Sequence, residues 1–191
     1  GGQDYFKSAE NPHGFFAPNL TPETGERFRG GKGSLYEGGL RVPFLVRWPQ
    51  KIAGGLTSDH RLCFQDIMPT LAELTGAELP ATDGISFVPS LLSQTGQRQH
   101  PFLYWEYGGQ TAVREDDWKA VKTKSGDWQL YDLGADPEEK KNLAKTRTRI
   151  LERLAAHAKQ AHSPAQPGTV FDQAIVDKDR RQAPHNRPAK K

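Results

Sequence analysis

The distribution of apolar residues divides the chain into segments of different character. Residues 1–31 are rich in glycine, proline and asparagine, and pairs such as Asn11-Pro12 and Gly30-Gly31 are turn signals. This stretch predicts a long loop, which in a compact domain is usually functional or disordered. An apolar run follows at residues 42–48, rich in β-forming residues and closed by Pro49. We interpret it as a buried strand with Pro43 at its start, where a missing N–H does least harm.

The next element is a helix, predicted by its capping residues and by its period. Asp66 is a suitable N-cap, Pro69 lies in the first turn, where its missing N–H is not needed, and Gly76 ends the helix. The apolar side chains that share one face are Ile67, Met68, Leu71 and Leu74. We therefore expect a short helix with one apolar face.

After about residue 96 the pattern changes to short segments of alternating polar and apolar residues. Hairpin-type breaks separate four of them, at 102–107, 111–114, 118–123 and 128–133. They predict a small antiparallel sheet, and the helical period at residues 150–161 predicts a helix that covers one face of it. Aromatic residues on the strands are candidates for a carbohydrate platform, but strand spacing favours a place in the core. They are Tyr104, Trp105, Trp118 and Trp128.

Charge and cysteine content narrow the function classes. The formal net charge of the 191 residues is +3, and residues 163–191, with six basic and three acidic side chains, carry all of it. We interpret this segment as a solvated tail, with a polyanion-binding arm as the alternative. No nucleic-acid recognition motif accompanies the charge, and no apolar run approaches the roughly 20 residues of a membrane span. Cys63 is the single cysteine, which excludes an intrachain disulfide.

Four motifs occur in a fixed order along the chain. The first is the segment 31–43, which reads GKGSLYEGGLRVP, and the second is the Asp-x-x-Pro-Thr sequence that begins at Asp66. The others are Asp83-Gly84-Ile85-Ser86 and the group Tyr131-Asp132-Leu133, Asp136-Pro137 and Asn142-Leu143. In order and approximate spacing they resemble the type I sulfatases, the formylglycine-dependent arylsulfatase family. The resemblance covers residues 1 to about 160.

This resemblance implies an α/β fold: the C-terminal part of an alkaline-phosphatase-like sandwich plus a small antiparallel sheet packed with a C-terminal helix. We expect residues 1–95 to belong to the catalytic domain, residues 96–162 to form the sheet-and-helix subdomain, and residues 163–191 to be a basic tail. The implied function is that of a sulfuric ester hydrolase, which cleaves sulfate monoesters. Two alternatives stay open, a stand-alone non-catalytic module and a phosphatase-like or phosphonate hydrolase of the same fold.

Lys32 is the catalytic and sulfate-binding candidate that the family match implies. A sulfate monoester carries charge on its non-bridging oxygens, and the leaving oxygen gains charge as the S–O bond breaks. A fixed ammonium against both groups stabilises the transition state. The flanking Gly31 and Gly33 allow the backbone to approach a charged substrate closely. Without the surrounding motif, the same residue would be interpreted as a solvated loop lysine.

Other polar residues of the first loop and of the motif are weaker candidates. By position alone, His13, Arg27 and Arg29 are candidate contacts to an anionic or sugar substrate, with ordinary polar loop residues as the alternative. Glu37 and Arg41 also match the family pattern. We expect these two to form an ion pair that holds the glycine turn rather than to act on the substrate.

The resemblance also implies groups that this chain does not supply. The family's nucleophile is a formylglycine hydrate, made from a cysteine in a Cys-x-Pro-x-Arg or Cys-x-Ala-x-Arg pattern. Cys63 lacks that pattern, so we expect a buried small hydrophobe there. The family's divalent cation, usually calcium, is held by aspartates and an asparagine upstream of Gly1, so we expect no metal ligand here. We therefore expect the chain to be a fragment that is inactive by itself.

The expected partner is a sulfated small molecule or a sulfated carbohydrate. Aryl sulfates, sulfated sugar units and sulfated polysaccharides all stay open as substrates, and the sequence leaves the oligomeric state open. Family habit favours the periplasm or secretion in bacteria and the lysosome in animals, although the chain shows no signal peptide.

Overall fold

The computed structural model describes residues 19–22, 24–124, 126–164, 174, 177 and 178. In chain order its elements are α1 (Glu37–Leu40), a 3-10 turn (Phe64–Asp66), α2 (Ile67–Thr75), α3 (Val88–Leu91), β1 (Leu103–Tyr107), β2 (Gln110–Glu115), β3 (Trp118–Lys122), β4 (Trp128–Asp132) and α4 (Thr148–Ala161). The chain divides into two units, Gly1–Ala158 and Lys159–Lys191, and every contact described below lies in the first. The boundary expected between residues 95 and 96 stays a prediction. None of the described helices is both long and apolar enough to cross a membrane.

The four strands form one antiparallel sheet in the order β1-β2-β3-β4. Tyr107 pairs with Gln110 at the first hairpin, Glu115 with Trp118 at the second, and Lys122 with Trp128 at the third. The sheet predicted from the alternating segments is therefore confirmed. Because successive strands reverse direction, the first and third hairpin connections lie at the same end of the sheet, and the second lies at the other end.

Both faces of the sheet are buried, because successive side chains of a strand point to opposite sides. One face buries Ala112, Val121 and Tyr131 against Leu35 and Tyr36 from the glycine-rich motif. The opposite face buries another set, in which Val113, Ala120 and Leu130 pack against Leu154 and Ala158 of α4. The helix predicted to cover the sheet is thus confirmed. The strand aromatics are core residues as predicted: Tyr104, Trp118 and Trp128 pack on the α4 side and Trp105 on the motif side.

Helix α2 begins and ends as predicted, but its apolar face does not pack into a core. Gly76 adopts the left-handed conformation at φ +69° and ends the helix. Met68 and Leu71 remain 57% and 55% exposed, although they belong to the predicted apolar face. Together with Phe64 and Leu79 they line an open apolar groove of about 520 Å³.

The prediction of a strand at residues 42–48 is wrong, because in the described structure this segment has no regular secondary structure. Leu45 is 88% exposed and Val42 49% exposed. The physical reason is that a strand forms by pairing with a neighbour, and no described strand runs beside this one. Phe44 makes an aromatic contact, with its ring edge-on to Phe87 at a centroid distance of 5.6 Å.

These exposed side chains belong to a larger group between residues 42 and 79. We call it the exposed apolar set, and its members are Val42, Phe44, Leu45, Val46, Trp48, Leu56, Phe64, Met68, Leu71 and Leu79. In the described part of the chain, Leu20 and Tyr107 are the large hydrophobic side chains exposed outside this set. A concentration of this kind is typical of a surface that another polypeptide covers.

Truncation of one leucine in α4 and one in α2 should show that α4 packs on the core and α2 does not. Leu154→Ala opens a cavity under α4, because Leu154 is fully buried, and should lower the free energy of unfolding by about 3 kcal/mol. Leu71→Ala removes an exposed side chain and should cost less than about 1 kcal/mol. Urea unfolding of the 191-residue chain measures both; equal losses would show that α2 is covered within this chain.

Candidate functional site

Lys32 lies at the tip of a tight turn made by Gly31, Lys32, Gly33 and Ser34. The Ser34 N–H donates to the Gly31 carbonyl at 2.9 Å, which closes the turn. Gly33 occupies the third position at φ +85°, where a type II turn requires a positive φ. The Lys32 side chain is exposed, and no acidic side chain of the described residues lies within ion-pair distance of it. The turn thus presents an ammonium group without a neutralising partner in the described structure.

The turn is fixed from two sides. The Gln110 side-chain amide, at the β1–β2 hairpin, donates to the Gly33 carbonyl at 2.9 Å. On the other side, α1 packs directly on the turn's backbone. A Cβ at Gly39 would lie 2.0 Å from the Ser34 carbonyl oxygen, and a Cβ at Gly38 would lie 2.5 Å from that of Gly30. The two adjacent glycines of the motif are therefore needed for this close packing of backbone on backbone.

A buried cluster of charges connects α1 to the sheet. The Lys119 ammonium, fully buried on β3, lies 2.7 Å from Glu37 Oε1 and 2.9 Å from Glu139 Oε1. Glu139 Oε2 also accepts the Glu37 backbone N–H at 2.7 Å. Lys119 thus joins two carboxylates that lie 102 residues apart in the chain.

Arg41 completes this arrangement from the end of α1. Its Nε donates to Glu37 Oε2 at 2.7 Å, and Arg114 Nη1 lies 3.6 Å from the same oxygen. The predicted ion pair between Glu37 and Arg41 is confirmed. Since Glu37 is only 2% exposed and both of its oxygens are paired, its carboxylate serves the structure of the motif.

The two buried glutamates differ in their electrostatics. Burial raises the pKa of Glu37, but Lys119, Arg41 and Arg114 outweigh it, and the net pKa lies below the usual value. Burial dominates at Glu139, whose pKa is raised despite the nearby Lys119. Among the described residues Lys119 is the one cation paired with the Glu139 carboxylate, whereas Glu37 has three cationic partners. Glu37 is therefore the more firmly ionised partner of Lys119.

The remaining predicted site residues are placed as follows. Arg29 Nη1 donates to the Tyr131 hydroxyl at 2.6 Å and to the Glu139 carbonyl at 3.0 Å, and its guanidinium lies 4.1 Å over the Tyr36 ring. Arg27 forms an isolated bridge with Leu20. A substrate contact by Arg27 or Arg29 stays a prediction. His13 lies outside the described residues. The structure therefore places Arg29 next to Glu139, one of the residues that hold the motif against the sheet.

Among the described residues, one group of side chains could hold a metal ion. The ligand atoms of Cys63, Asp66 and His100 all lie within 4.8 Å of one another. Both Asp66 oxygens are used by the fold: Oδ2 accepts the Cys63 N–H, and Oδ1 accepts the Ile85 N–H, each at 2.8 Å. His100 Nε2 lies 2.7 Å from Oδ1. Asp66 occupies the N-cap position of α2 as predicted, but its side chain makes no cap hydrogen bond to that helix. It caps the preceding 3-10 turn through Cys63 and joins α2 to two later segments, at Ile85 and His100.

This group does not fit calcium. Calcium takes about six or more oxygen ligands, whereas a thiol and an imidazole suit softer metals. That the family's calcium ligands lie outside this chain stays a prediction. Cys63 itself is half-buried rather than fully buried, and its thiol lies 3.5 Å from Asp66 Oδ2.

Comparison with known proteins agrees with this geometry. Residues 25–163 match the family model described as N-sulphoglucosamine sulphohydrolase, C-terminal. Steryl-sulfatase from Mus musculus is 41% identical over 110 residues, covering 52% of this chain and 17% of that protein. Arylsulfatase A from Homo sapiens is 37% identical over 167 residues, covering 67% of this chain and 32% of that protein. The crystal structure of Ps i-CgsB in complex with k-i-k-neocarrahexaose superposes with a TM-score of 0.65 at 27% identity, covering 83% of this chain and 38% of that one.

The chain therefore belongs to the sulfatase family, and the part that matches is the C-terminal portion. Its fold class is the one expected from the motifs, with the small antiparallel sheet and its C-terminal helix. The chain spans about a third or less of the length of these two curated relatives.

Substitution of the buried lysine tests how the motif is anchored. Lys119→Met leaves Glu37 and Glu139 buried without their shared counterion, so the free energy of unfolding should fall by about 3–5 kcal/mol. The matched control is Lys122→Met on the same strand, where the side chain is exposed and the expected change is below about 0.5 kcal/mol. If urea unfolding gave similar decreases in the free energy of unfolding for the two variants, Lys119 would have no special role.

The environment of Cys63 predicts slow reaction with alkylating agents. Burial, with the Asp66 charge and hydrogen bond, raises the pKa of the Cys63 thiol to about 12. Since the thiolate is the nucleophile, iodoacetamide at pH 8 should label the folded chain at least about a hundredfold more slowly than the urea-unfolded chain. Equal rates in the two states would show that the thiol is free of Asp66.

Proposed function

We propose that this chain supplies the sulfate-binding lysine of a sulfuric ester hydrolase, with Lys32 in contact with the sulfate group. The observation that carries the proposal is an exposed ammonium, with no acidic partner among the described residues, on a turn that is closed by its own hydrogen bond and fixed to the sheet. A solvated loop lysine has no need of such an anchor. Membership of the sulfatase family supports the reaction class.

The role of Lys32 follows from where charge lies during ester cleavage. The substrate's non-bridging oxygens are anionic before the reaction, and the leaving oxygen becomes anionic as the S–O bond breaks. A cation fixed in advance stabilises that charge without reorganising during the reaction. In our proposal the glycine turn and the Gln110 amide set the position of Lys32, and Glu37 with Lys119 sets the position of α1 behind it.

The remainder of the active site is proposed to come from further polypeptide. The described residues offer no site suited to calcium, and Cys63 lacks the sequence pattern from which the nucleophile is made. The exposed apolar set supports this view, because ten large apolar side chains between residues 42 and 79 stay open to solvent. In our proposal this set packs against the rest of the sulfatase fold, and the isolated chain is inactive. A stand-alone module would have to leave the set in water.

The substrate class is proposed to be a sulfated small molecule or a sulfated carbohydrate. Ps i-CgsB was crystallised with k-i-k-neocarrahexaose, which by its name is a saccharide, and it matches 83% of this chain. Calcium bound by upstream residues and a location in the periplasm or outside the cell complete the proposal, in line with the family.

A chimera tests the proposal directly. The portion of human arylsulfatase A that this chain matches is replaced by residues 1–164 of this chain, and hydrolysis of 4-nitrophenyl sulfate is measured. The chimera should be active, and Lys32→Ala should lower kcat by about a hundredfold or more because a preorganised charge is lost. The matched control Lys122→Ala removes an exposed lysine from the α4 side of the sheet and should leave kcat unchanged.

Three outcomes decide between the hypotheses. An active chimera whose rate does not depend on Lys32 would remove this lysine from the mechanism. A chimera that hydrolyses 4-nitrophenyl phosphate in preference to the sulfate would favour the phosphatase-like alternative. If the isolated 191-residue chain hydrolyses the sulfate by itself, the need for further polypeptide is wrong.

A further inference from the structure

The Lys32 turn and two hairpin connections meet at one end of the sheet. The β1–β2 and β3–β4 connections share this end because the sheet is a simple antiparallel meander. The Gln110 hydrogen bond to Gly33 brings the Lys32 turn to the same place. The residues of the two hairpin connections are therefore the described candidates for contact with a ligand bound at Lys32.

Tyr107 is an exposed aromatic residue at this border. Its ring Cε1 lies 3.9 Å from the position of a Cβ at Gly33, the residue next to Lys32. Tyr107 shares a sheet face with Trp105, two residues earlier, which packs on the motif side. The residue nevertheless remains 62% exposed. Tyr107 is not a member of the exposed apolar set.

Lys124 brings a second cation to the same end. Gly108 and Gly109 form the two-residue β1–β2 turn at φ +56° and +76°, values typical of a type I′ turn. The Lys124 side chain extends along this turn, with Cγ 3.1 Å from the position of a Cβ at Gly109. A side chain at Gly109 would therefore displace the lysine. Lys124 is exposed, and among the described residues no acid pairs with it, including Asp127 in the same connection.

We propose that Tyr107 and Lys124 form a subsite beside Lys32 for the ring of a sulfate ester that carries a second anionic group. The Tyr107 ring offers an apolar face for the CH groups of a sugar ring or for an aryl ring. Lys124 pairs with the second group, either a carboxylate or a second sulfate. The inference rests on the proposed function only in assigning the first sulfate to Lys32, and it narrows the substrate class to ring esters with at least two negative charges.

Binding to the 191-residue chain tests the subsite with three probes: glucose 2,6-disulfate, glucose 6-sulfate and ethyl sulfate. Dissociation constants are measured by NMR titration. The disulfate should bind about fivefold more tightly than the monosulfate, as expected for one exposed charge pair. Lys124→Ala should abolish this preference. Lys122→Ala, which removes an exposed lysine from the opposite face of the sheet, should retain it.

The aromatic contribution is tested with a pair of variants at Tyr107. Tyr107→Ala should weaken both glucose sulfates about fivefold and leave ethyl sulfate, which has no ring, unchanged. Tyr107→Phe keeps the ring and should retain the affinity of the parent chain. Equal weakening of all three probes by Tyr107→Ala would indicate a structural role and overturn the inference. An unchanged disulfate preference in Lys124→Ala, or no binding of any probe, would also overturn it.

Failure of the proposed function gives a different result. If Lys32→Ala binds all three probes as the parent chain does, while the Tyr107 and Lys124 variants behave as expected, the subsite stands and Lys32 is not the sulfate-binding residue. If Lys32→Ala weakens all three probes and the other variants have no effect, Lys32 keeps its role and the subsite is wrong.

Discussion

The position of Lys32 depends on a lysine that is itself buried. Lys119 has no solvent exposure and is stabilised by two carboxylates, one from the motif and one from the segment after β4. Burial of a charge is costly unless it is paired, so each of the three groups requires the other two. Because Glu37 begins α1 and α1 packs on the backbone of the Lys32 turn, this pairing determines where the turn lies. Removal of Lys119 and Glu139 would leave the sequence motif intact but without a defined position.

The two sides of the sheet have different roles. The α4 side is a conventional core in which Leu154 and Ala158 cover Val113, Ala120 and Leu130. The other side combines apolar packing with the charged cluster, and there Tyr36 and Tyr131 share the Gln129 amide oxygen as hydrogen-bond acceptor. Hydrogen bonds between specific atoms determine one orientation, whereas apolar contacts tolerate small shifts. The motif side is therefore suited to holding the Lys32 turn in one place.

Prediction from the sequence succeeded where the pattern is local. The strands, their hairpins, the ends of α2 and the covering helix all follow from alternation, capping and period within a few residues. The run at 42–48 failed because the same apolar pattern forms a strand only when a neighbouring strand is available to pair with it. Helix α2 shows the same limit, since its period predicts an apolar face but not what covers that face.

The candidate site shows this limit more sharply. The motif made it possible to identify Lys32, Glu37 and Arg41 from the sequence. It gave no indication of Lys119, Glu139, Gln110, Tyr107 and Lys124. Lysine on a strand is usually solvated, and the one available signal was that Lys119 lies two residues before the buried Val121 and so shares its face. The hydrogen bond from the Glu37 N–H to the Glu139 carboxylate joins residues that are 102 positions apart, and no local sequence pattern predicts such a contact.

That span also bears on the order in which the chain becomes structured during synthesis. The Lys32 turn is synthesised before the groups that hold it, which come from β3 and from the segment after β4. A ribosome must therefore extend the chain by about another hundred residues before the turn can adopt its final position. Contacts between residues so distant in sequence form late and slowly. Final positioning of the Lys32 turn is thus limited by completion of the sheet, and a premature stop just before residue 139 would yield a polypeptide that carries the motif without its folded geometry.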